Sequence, residues 1–348
     1  MKSFASDNYA GAVPEVMQAL LQENQDHAPA YGNDNTTSRL QETFNAQLGT
    51  SVLTRLVFNG TGANLCGLSC MVEPYSAILC AETAHIYVDE STASEALTGC
   101  RLFPLPVDNN GKLTPESIEQ AVKRQGDLHH PQIQVLSLTQ PTEYGTLYSL
   151  EELQKIKAVA ERHHLAVHLD GSRIFIAAAA LNCSLKDIIF NSGAAVVSVG
   201  GTKIGLLYGE AVLIIDKDLQ QKAPFFHKRS MQLASKNRFI AAQFLALLEN
   251  DTWKKYSKIA LTRAQQLAGV LQKYTEITLT KPVQANAVFA VIPQDWIKPL
   301  QDTIPFYVWE EATNEVRLMC AFDTTEADIE LFDTKLAALK QAGIVSNS

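Results

Sequence analysis

The chain has 348 residues with 46% hydrophobic content, 19% charged content and a formal net charge of −8, which is the profile of an ordinary globular enzyme of about two domains. An acidic balance of this size argues against a nucleic-acid backbone or an anionic membrane as partner, so any anionic ligand has to be held by locally placed groups. The segment Met1-Lys2-Ser3-Phe4-Ala5-Ser6-Asp7-Asn8 lacks the apolar region of a signal peptide, and no stretch is apolar for long enough to span a bilayer; a cytoplasmic protein is expected.

Helical spacing opens the chain over 14–23, where Pro14 suits a first turn, and again over 38–48. A short strand over 54–59 runs into Gly60-Thr61-Gly62-Ala63-Asn64-Leu65, where a helix starts. Backbone N–H groups, the helix dipole and the Thr61 hydroxyl favour a phosphate there, although such a turn also forms without a ligand. Strands are expected over 76–80 and 101–104, and His85 follows the first of them, placed to stack on a planar cofactor or to move a proton. His129 and His130 stand in a polar loop beside Pro131 just before a strand over 134–139; they are either a solvated pair or a direct participant.

An amphipathic crossover helix covers 150–163, and strands follow over 165–170, 194–199 and 211–215. Most of these strands are apolar throughout, as in a parallel sheet covered on both faces. A long helix rich in alanine and leucine is expected over 231–248 and another over 256–274. Short strands over 277–279, 287–292, 306–309 and 315–319 then precede a final helix over 325–342. The pattern predicts a large α/β domain over 1–248 and a smaller α+β domain over 249–348. Arg317, inside the last short strand, is either an edge charge or a fork that clamps a carboxylate. His163, His164, His168 and His227 read as structural or surface groups. The six cysteines form no C-x-x-C pair and have no histidines nearby, so buried reduced thiols are expected and no metal site.

The most informative run is Ala194-Ala195-Val196-Val197-Ser198-Val199-Gly200-Gly201-Thr202-Lys203-Ile204-Gly205, an apolar strand ending in a lysine flanked by glycines. Lysine is seldom buried without a reason. Desolvation there lowers its pKa and frees the amine to form a Schiff base with an aldehyde. The run resembles a phosphate loop poorly, because Ile204 stands where that loop needs a hydroxyl. A second strand, Leu165-Ala166-Val167-His168-Leu169-Asp170-Gly171-Ser172-Arg173, leaves a carboxylate and a guanidinium at its end, 33 residues from Asp170 to Lys203. Pyridoxal phosphate asks for such a pair, a lysine for its aldehyde and an acid that keeps its ring nitrogen protonated.

In that order these pieces resemble the threonine aldolase group within the fold-type I pyridoxal-phosphate enzymes of the beta-eliminating lyase superfamily. Ser198-Val199-Gly200-Gly201-Thr202-Lys203-Ile204-Gly205 is similar to the G-G-T-K-N-G lysine motif of its low-specificity bacterial branch. The likeness runs from Ser6-Asp7-Asn8 through Tyr31-Gly32-Asn33-Asp34, Gly60-Thr61-Gly62, Ala84-His85-Ile86-Tyr87 and His168-Leu169-Asp170-Gly171-Ser172-Arg173 to Gln232-Leu233-Ala234-Ser235-Lys236 and Arg317-Leu318-Met319-Cys320. It implies a mostly parallel central sheet with helices on both faces and a smaller C-terminal domain. It further implies that Lys203 holds the cofactor aldehyde, Asp170 pairs with the ring nitrogen, His85 stacks on the ring, and Gly60 and Thr61 hold the phosphate. Ser6, Arg173 and Arg317 would bind the carboxylate of an amino-acid substrate. His129 would match a histidine near the β-hydroxyl, and Tyr31 a residue reaching the site of a neighbouring subunit in a homo-oligomer, dimer or tetramer.

The chain also departs from the pattern: Thr139-Gln140-Pro141-Thr142-Glu143-Tyr144-Gly145 stands where many members carry E-N-T-H-N, and Met319-Cys320-Ala321 where others have a histidine. The expected reaction is retro-aldol cleavage of L-threonine, L-allo-threonine and related β-hydroxy-α-amino acids to glycine and an aldehyde. The competing readings are a β-eliminating lyase or racemase on the same scaffold, and a non-catalytic cofactor-binding module.

Overall fold

Residues 2–346 are described by a computed structural model. The helices are α1 (Pro14–Glu23), α2 (Asn35–Leu48), α3 (Gly60–Ser69), α4 (His85–Val88), α5 (Ala93–Thr98), α6 (Pro115–Ala121), α7 (Leu150–Arg162), α8 (Ile174–Ala180), α9 (Leu185–Ser192), α10 (Lys217–Gln220), α11 (Ala223–Arg229), α12 (Arg238–Leu248), α13 (Thr252–Leu271), α14 (Gln294–Gln301) and α15 (Glu326–Ser346). Interleaved strands are β1 (Leu53–Val57), β2 (Ser76–Ala81), β3 (Arg101–Leu105), β4 (Gln132–Thr139), β5 (Ala166–Gly171), β6 (Ala194–Gly200), β7 (Glu210–Ile214), β8 (Thr278–Leu279), β9 (Ala287–Val291), β10 (Tyr307–Glu310) and β11 (Glu315–Met319).

The continuous apolar runs form a seven-stranded sheet of order β1-β7-β6-β5-β4-β2-β3. β3, β2, β4, β5 and β6 pair in parallel, and β7 runs antiparallel to both β6 and β1. Successive strand residues feed opposite layers. Val197 and Leu213 join the core with α1, α2, α7, α9 and α12, while Val196 and Val212 join the layer with Ala63, Cys66 and Leu68 of α3. The α/β class expected from the sequence is therefore borne out, as is the smaller C-terminal unit, a four-stranded antiparallel sheet of order β10-β11-β9-β8.

Helix starts follow local chemistry. Thr114 with Ser117, Ser149 with Glu152 and Ser184 with Asp187 form reciprocal capping boxes at α6, α7 and α9. The helix expected over 231–248 begins only at Arg238: Met231 takes a left-handed φ of 61°, and the residues up to Asn237 turn so that Gln232 accepts from the Phe58 N–H and Ser235 from the Tyr31 N–H. α14 forms where the sequence pattern predicts no helix, because Pro299 inside it masks the helical signal.

The C-terminal core gathers the later residues of α13 with α14, α15, β9, β11 and, from the far end of the chain, Phe4. Phe4 is tied there by its N–H to the Pro305 carbonyl (2.8 Å) and by its own carbonyl to the Met319 N–H (2.7 Å). All six cysteines are free, and burial pushes the Cys66 and Cys80 thiols up to about 12. Among the described residues no single helix is long and apolar enough to cross a membrane.

Two buried histidines set an acid limit on this fold. His168 lies between the Ser137 and Ser198 hydroxyls, and His227 Nε2 donates to the Leu56 carbonyl (2.8 Å); burial pushes both down to about 4. Unfolded histidines take up protons near pH 6.5. Their contribution is therefore complete above about pH 6.5 and is lost as pH falls toward about 4. We expect Tm to drop between pH 7.5 and 5 by more than in His227→Gln, whose amide still donates to Leu56; calorimetry giving equal drops would contradict the role of His227.

Candidate active site

In an open α/β sheet, loops at the carboxyl ends of parallel strands make the binding crevice. Here that edge collects Asp170 at the end of β5, Lys203 after β6, His85 after β2 and Glu143 after β4. Lys203 sits on a 3-10 turn, Thr202–Ile204, whose approach to β5 is too close for any side chain: a Cβ on Gly200 would overlap the Ser172 carbonyl. Glu210, facing Gly200 in the β6–β7 register, anchors the turn by accepting from the Gly201 N–H, and burial pushes its carboxyl up to about 7. Lys203 is half-buried and makes no hydrogen bond or ion pair among the described residues. Burial and the Arg173 charge push its ammonium below the ordinary lysine value, against the pull of Asp7, Glu143 and Asp170. That favours a reactive neutral amine.

Asp170 is buried, yet ionised. Burial pushes it up, but the Ser172 hydroxyl (2.7 Å) and N–H (3.0 Å), the Asn64 amide (2.9 Å) and the Lys203 charge together hold it below the usual carboxylate range. Asn64 belongs to α3 and also donates to Glu90 (2.8 Å), and Glu90 accepts from His85 Nδ1 (2.8 Å). One chain of hydrogen bonds thus runs from His85 through Glu90 and Asn64 to Asp170. The bond to Glu90 raises the His85 pKa despite its partial burial. α3 opens at Gly60 and Thr61, whose N–H groups have no intrahelical carbonyl, while Asn59 caps the Gly62 N–H (2.8 Å). A Cβ on Gly60 would lie 3.8 Å from Ser172 Oγ, so this helix end and Asp170 share one pocket wall.

Arg173 grips Asp7 through Nε (2.6 Å) and Nη2 (2.9 Å), and the Arg173 charge and hydrogen bonds hold Asp7 low against its burial. Arg317, on β11 of the other sheet, donates to the Ala5 carbonyl (3.3 Å) and lies 4.9 Å from the Trp309 ring centroid. Its buried Nε has no partner among the described residues. Burial and the nearby Arg173 charge both oppose its ionisation, so the two guanidiniums, one from each sheet region, lie within reach of each other's charge.

Lys203, Asp170, His85, Arg173, Arg317, Ser6 and the Gly60-Thr61 turn therefore come together, Ser6 as the cap whose Oγ accepts from the Asn8 N–H (3.2 Å). His129 does not join them, which corrects its expected place near the β-hydroxyl. It is exposed before the amino end of β4, and the eight residues of that strand put it about 25 Å from the carboxyl edge. Tyr31 is half exposed under the Lys228 ammonium (4.9 Å to its ring centroid) and makes no hydrogen bond to the pocket residues among those described. Sequence reasoning missed Asp7, Glu90, Glu143 and Glu210. Asp7 had a signal, since it follows Ser6 in a motif already singled out; the other three depend on what the fold brings beside them.

A family model described as beta-eliminating lyase matches residues 3–294. A low specificity L-threonine aldolase of Pseudomonas aeruginosa is 36% identical, with 94% of each chain covered, and one of another Pseudomonas strain is 33% identical, covering 98% of this chain and 99% of its own. Among solved structures, a threonine aldolase of Leishmania major superposes with a TM-score of 0.92 at 26% identity over 97% of this chain and 99% of that one. The resemblance read from the motifs is borne out over nearly the full length: the chain belongs to the beta-eliminating lyase family, within its threonine aldolase group.

Proposed function

We propose that this enzyme is a carbon–carbon lyase that splits L-threonine, L-allo-threonine and related β-hydroxy-α-amino acids into glycine and an aldehyde with the help of pyridoxal phosphate. The observation that carries the reading is the pairing of an uncommitted, pKa-lowered Lys203 with an ionised Asp170 at one sheet edge, with the Arg173 charge acting on both Lys203 and Arg317. The names of the relatives point the same way.

The residues fit the cofactor. Lys203 would hold its aldehyde, Asp170 its ring nitrogen, Gly60 and Thr61 its phosphate, and His85 one face of its ring. When bound, pyridoxal phosphate supplies an electron sink for a bond broken at Cα. Arg173, fixed by Asp7, and Arg317 would grip the substrate carboxylate with Ser6, and this grip decides which bond at Cα is aligned for cleavage. Glu90 keeps the His85 ring oriented through Nδ1. A working division of the chain near residue 248 would let the C-terminal unit carry Arg317 toward the pocket and exclude water from it.

Tyr31, Phe58, Leu207, Tyr208 and Met231 are exposed, and Phe58, two residues before α3, stacks on Tyr208 at 6.2 Å. Apolar exposure of this kind suits a second copy, so we place the active site at the interface of a cytoplasmic dimer or tetramer, with Tyr31 facing the neighbour's pocket.

With purified protein, L-threonine, L-allo-threonine and phenylserine should each yield glycine and the matching aldehyde. Ammonia and a keto acid instead would show β-elimination. Borohydride should fix the pyridoxyl group on Lys203, and peptide mapping to any other lysine would sink the assignment. Asp170→Asn should hold the cofactor less tightly and turn over far more slowly, because an unprotonated ring is a poor sink; normal turnover speaks against the pairing. Arg317→Ala removes a charge-assisted contact and should lower kcat/KM by about ten- to a hundredfold while the cofactor spectrum stays unchanged. Unaltered kcat and KM would reduce Arg317 to a surface charge.

A further inference from the structure

Aldol cleavage needs a base at the β-oxygen, and the histidines expected to serve are otherwise engaged. His85 has Nδ1 committed to Glu90, which favours its protonated form. His129 lies at the wrong end of the sheet, and His168 is buried between two hydroxyls. Of the five carboxylates around the pocket, four are also committed. Both Asp7 oxygens accept from Arg173, and one also from Asn286. The Asp170 oxygens accept from Ser172 and Asn64, and Glu210 anchors the lysine turn; Glu90 accepts from His85 and Asn64 through one oxygen, and its other oxygen, though unpartnered among the described residues, is sealed from any ligand by burial.

Glu143 is different. Its carboxylate makes no hydrogen bond and no ion pair among the described residues, although it stands in the electrostatic reach of His85 from α4, Asp170 from β5, Arg173 before α8, Lys203 from the β6 turn and Arg317 from β11. The backbone under it is held firmly. The Thr142 N–H donates to the Thr146 carbonyl (2.9 Å), the Gly145 N–H to the Thr142 carbonyl (2.8 Å), and the Thr142 and Thr146 hydroxyls meet at 2.6 Å. The next residue, Tyr144, packs edge-on against Trp309, the same ring that Arg317 covers. Glu143 is thus set rigidly beside the carboxylate clamp with free oxygens.

Resting on the function proposed above, the geometry points to Glu143 as the catalytic residue that takes the proton from the substrate β-hydroxyl. The carboxylate accepts that proton; the O–H electron pair becomes the second bond of the aldehyde carbonyl; the Cα–Cβ pair passes to Cα and into the bound pyridoxal phosphate. A proton returned to Cα then gives glycine. Burial and the Asp170 charge push the Glu143 carboxyl above its ordinary value, against Arg173, Lys203 and His85, closer to a useful basicity near neutral pH.

The test uses the cofactor-loaded enzyme, its Glu143→Gln variant and the milder Glu143→Asp. In Glu143→Gln, cleavage of L-allo-threonine should fall by about 10²–10⁴-fold. Two readouts that bypass the hydroxyl should stay within about threefold of wild type: glycine binding followed by the cofactor spectrum, and exchange of the glycine α-proton in D₂O followed by NMR. The acidic limb of the wild-type kcat/KM profile should vanish in the residual activity. Glu143→Asp should show a smaller loss with the same split, which keeps the test valid if the glutamine variant folds poorly. Cleavage close to wild type in both variants overturns the assignment, and so does an equal loss of cleavage and glycine exchange. A wild-type enzyme that releases no glycine and aldehyde overturns the function itself, a result distinct from a cleaving wild type matched by its variants.

Discussion

The bidentate ion pair between Asp7 and Arg173 is the constraint on which the rest of the site depends. Asp7 arrives from the N-terminal segment, Arg173 from the end of β5, and Asn286 of the C-terminal unit also donates to Asp7 at 3.1 Å. Phe4 and Ala5, just before it, are bonded to Pro305, Met319 and Arg317. Three distant parts of the chain therefore meet at one carboxylate with no solvent exposure. Breaking such a buried pair from one side typically costs about 3–5 kcal/mol, because the remaining charge stays desolvated. The pair is thus a positioning device more than a source of net stability: it engages the Nε and Nη2 edge of the Arg173 fork and fixes where that guanidinium sits.

The remaining charges at the pocket follow from that first match. A sheet edge that buries Asp170, Glu90, Glu210 and Asp7 would be repulsive if their oxygens were bare. Each is instead given donors, from Ser172 and Asn64, from His85, from Gly201 and from Arg173. Lys203 and Arg317 face the opposite situation, with charge and burial set against a scarcity of acceptors. Cationic groups short of acceptors beside acids supplied with donors are the kind of charge arrangement that clusters at functional sites.

The local elements were legible because their causes are local. β4, β5 and β6 read as continuous apolar runs since both of their faces are covered, and α7 announces itself through the Ser149–Glu152 capping box and its apolar stripe. α4 has four residues and α8 seven, too few for helical periodicity to register. Residues 231–237 carry helix-forming composition yet turn, because Gln232 and Ser235 serve the backbones of Phe58 and Tyr31 instead.

The sequence by itself determined the α/β class, the lysine on its glycine-flanked turn, the acid at the strand end before it and the motif order that marks the family. Each of these is written in adjacent residues, where strand period, glycine sterics and side-chain chemistry act over a few positions. Only the tertiary structure decided that His129 lies at the amino edge of the sheet and Glu143 at the carboxyl edge, although both flank β4. It also decided that Asp7 is spent on Arg173, Glu90 on His85 and Glu210 on the lysine turn, while Glu143 keeps its oxygens free. Strand direction and pairing between segments hundreds of residues apart settle those questions, and a linear pattern carries no record of which charges the fold will bring face to face.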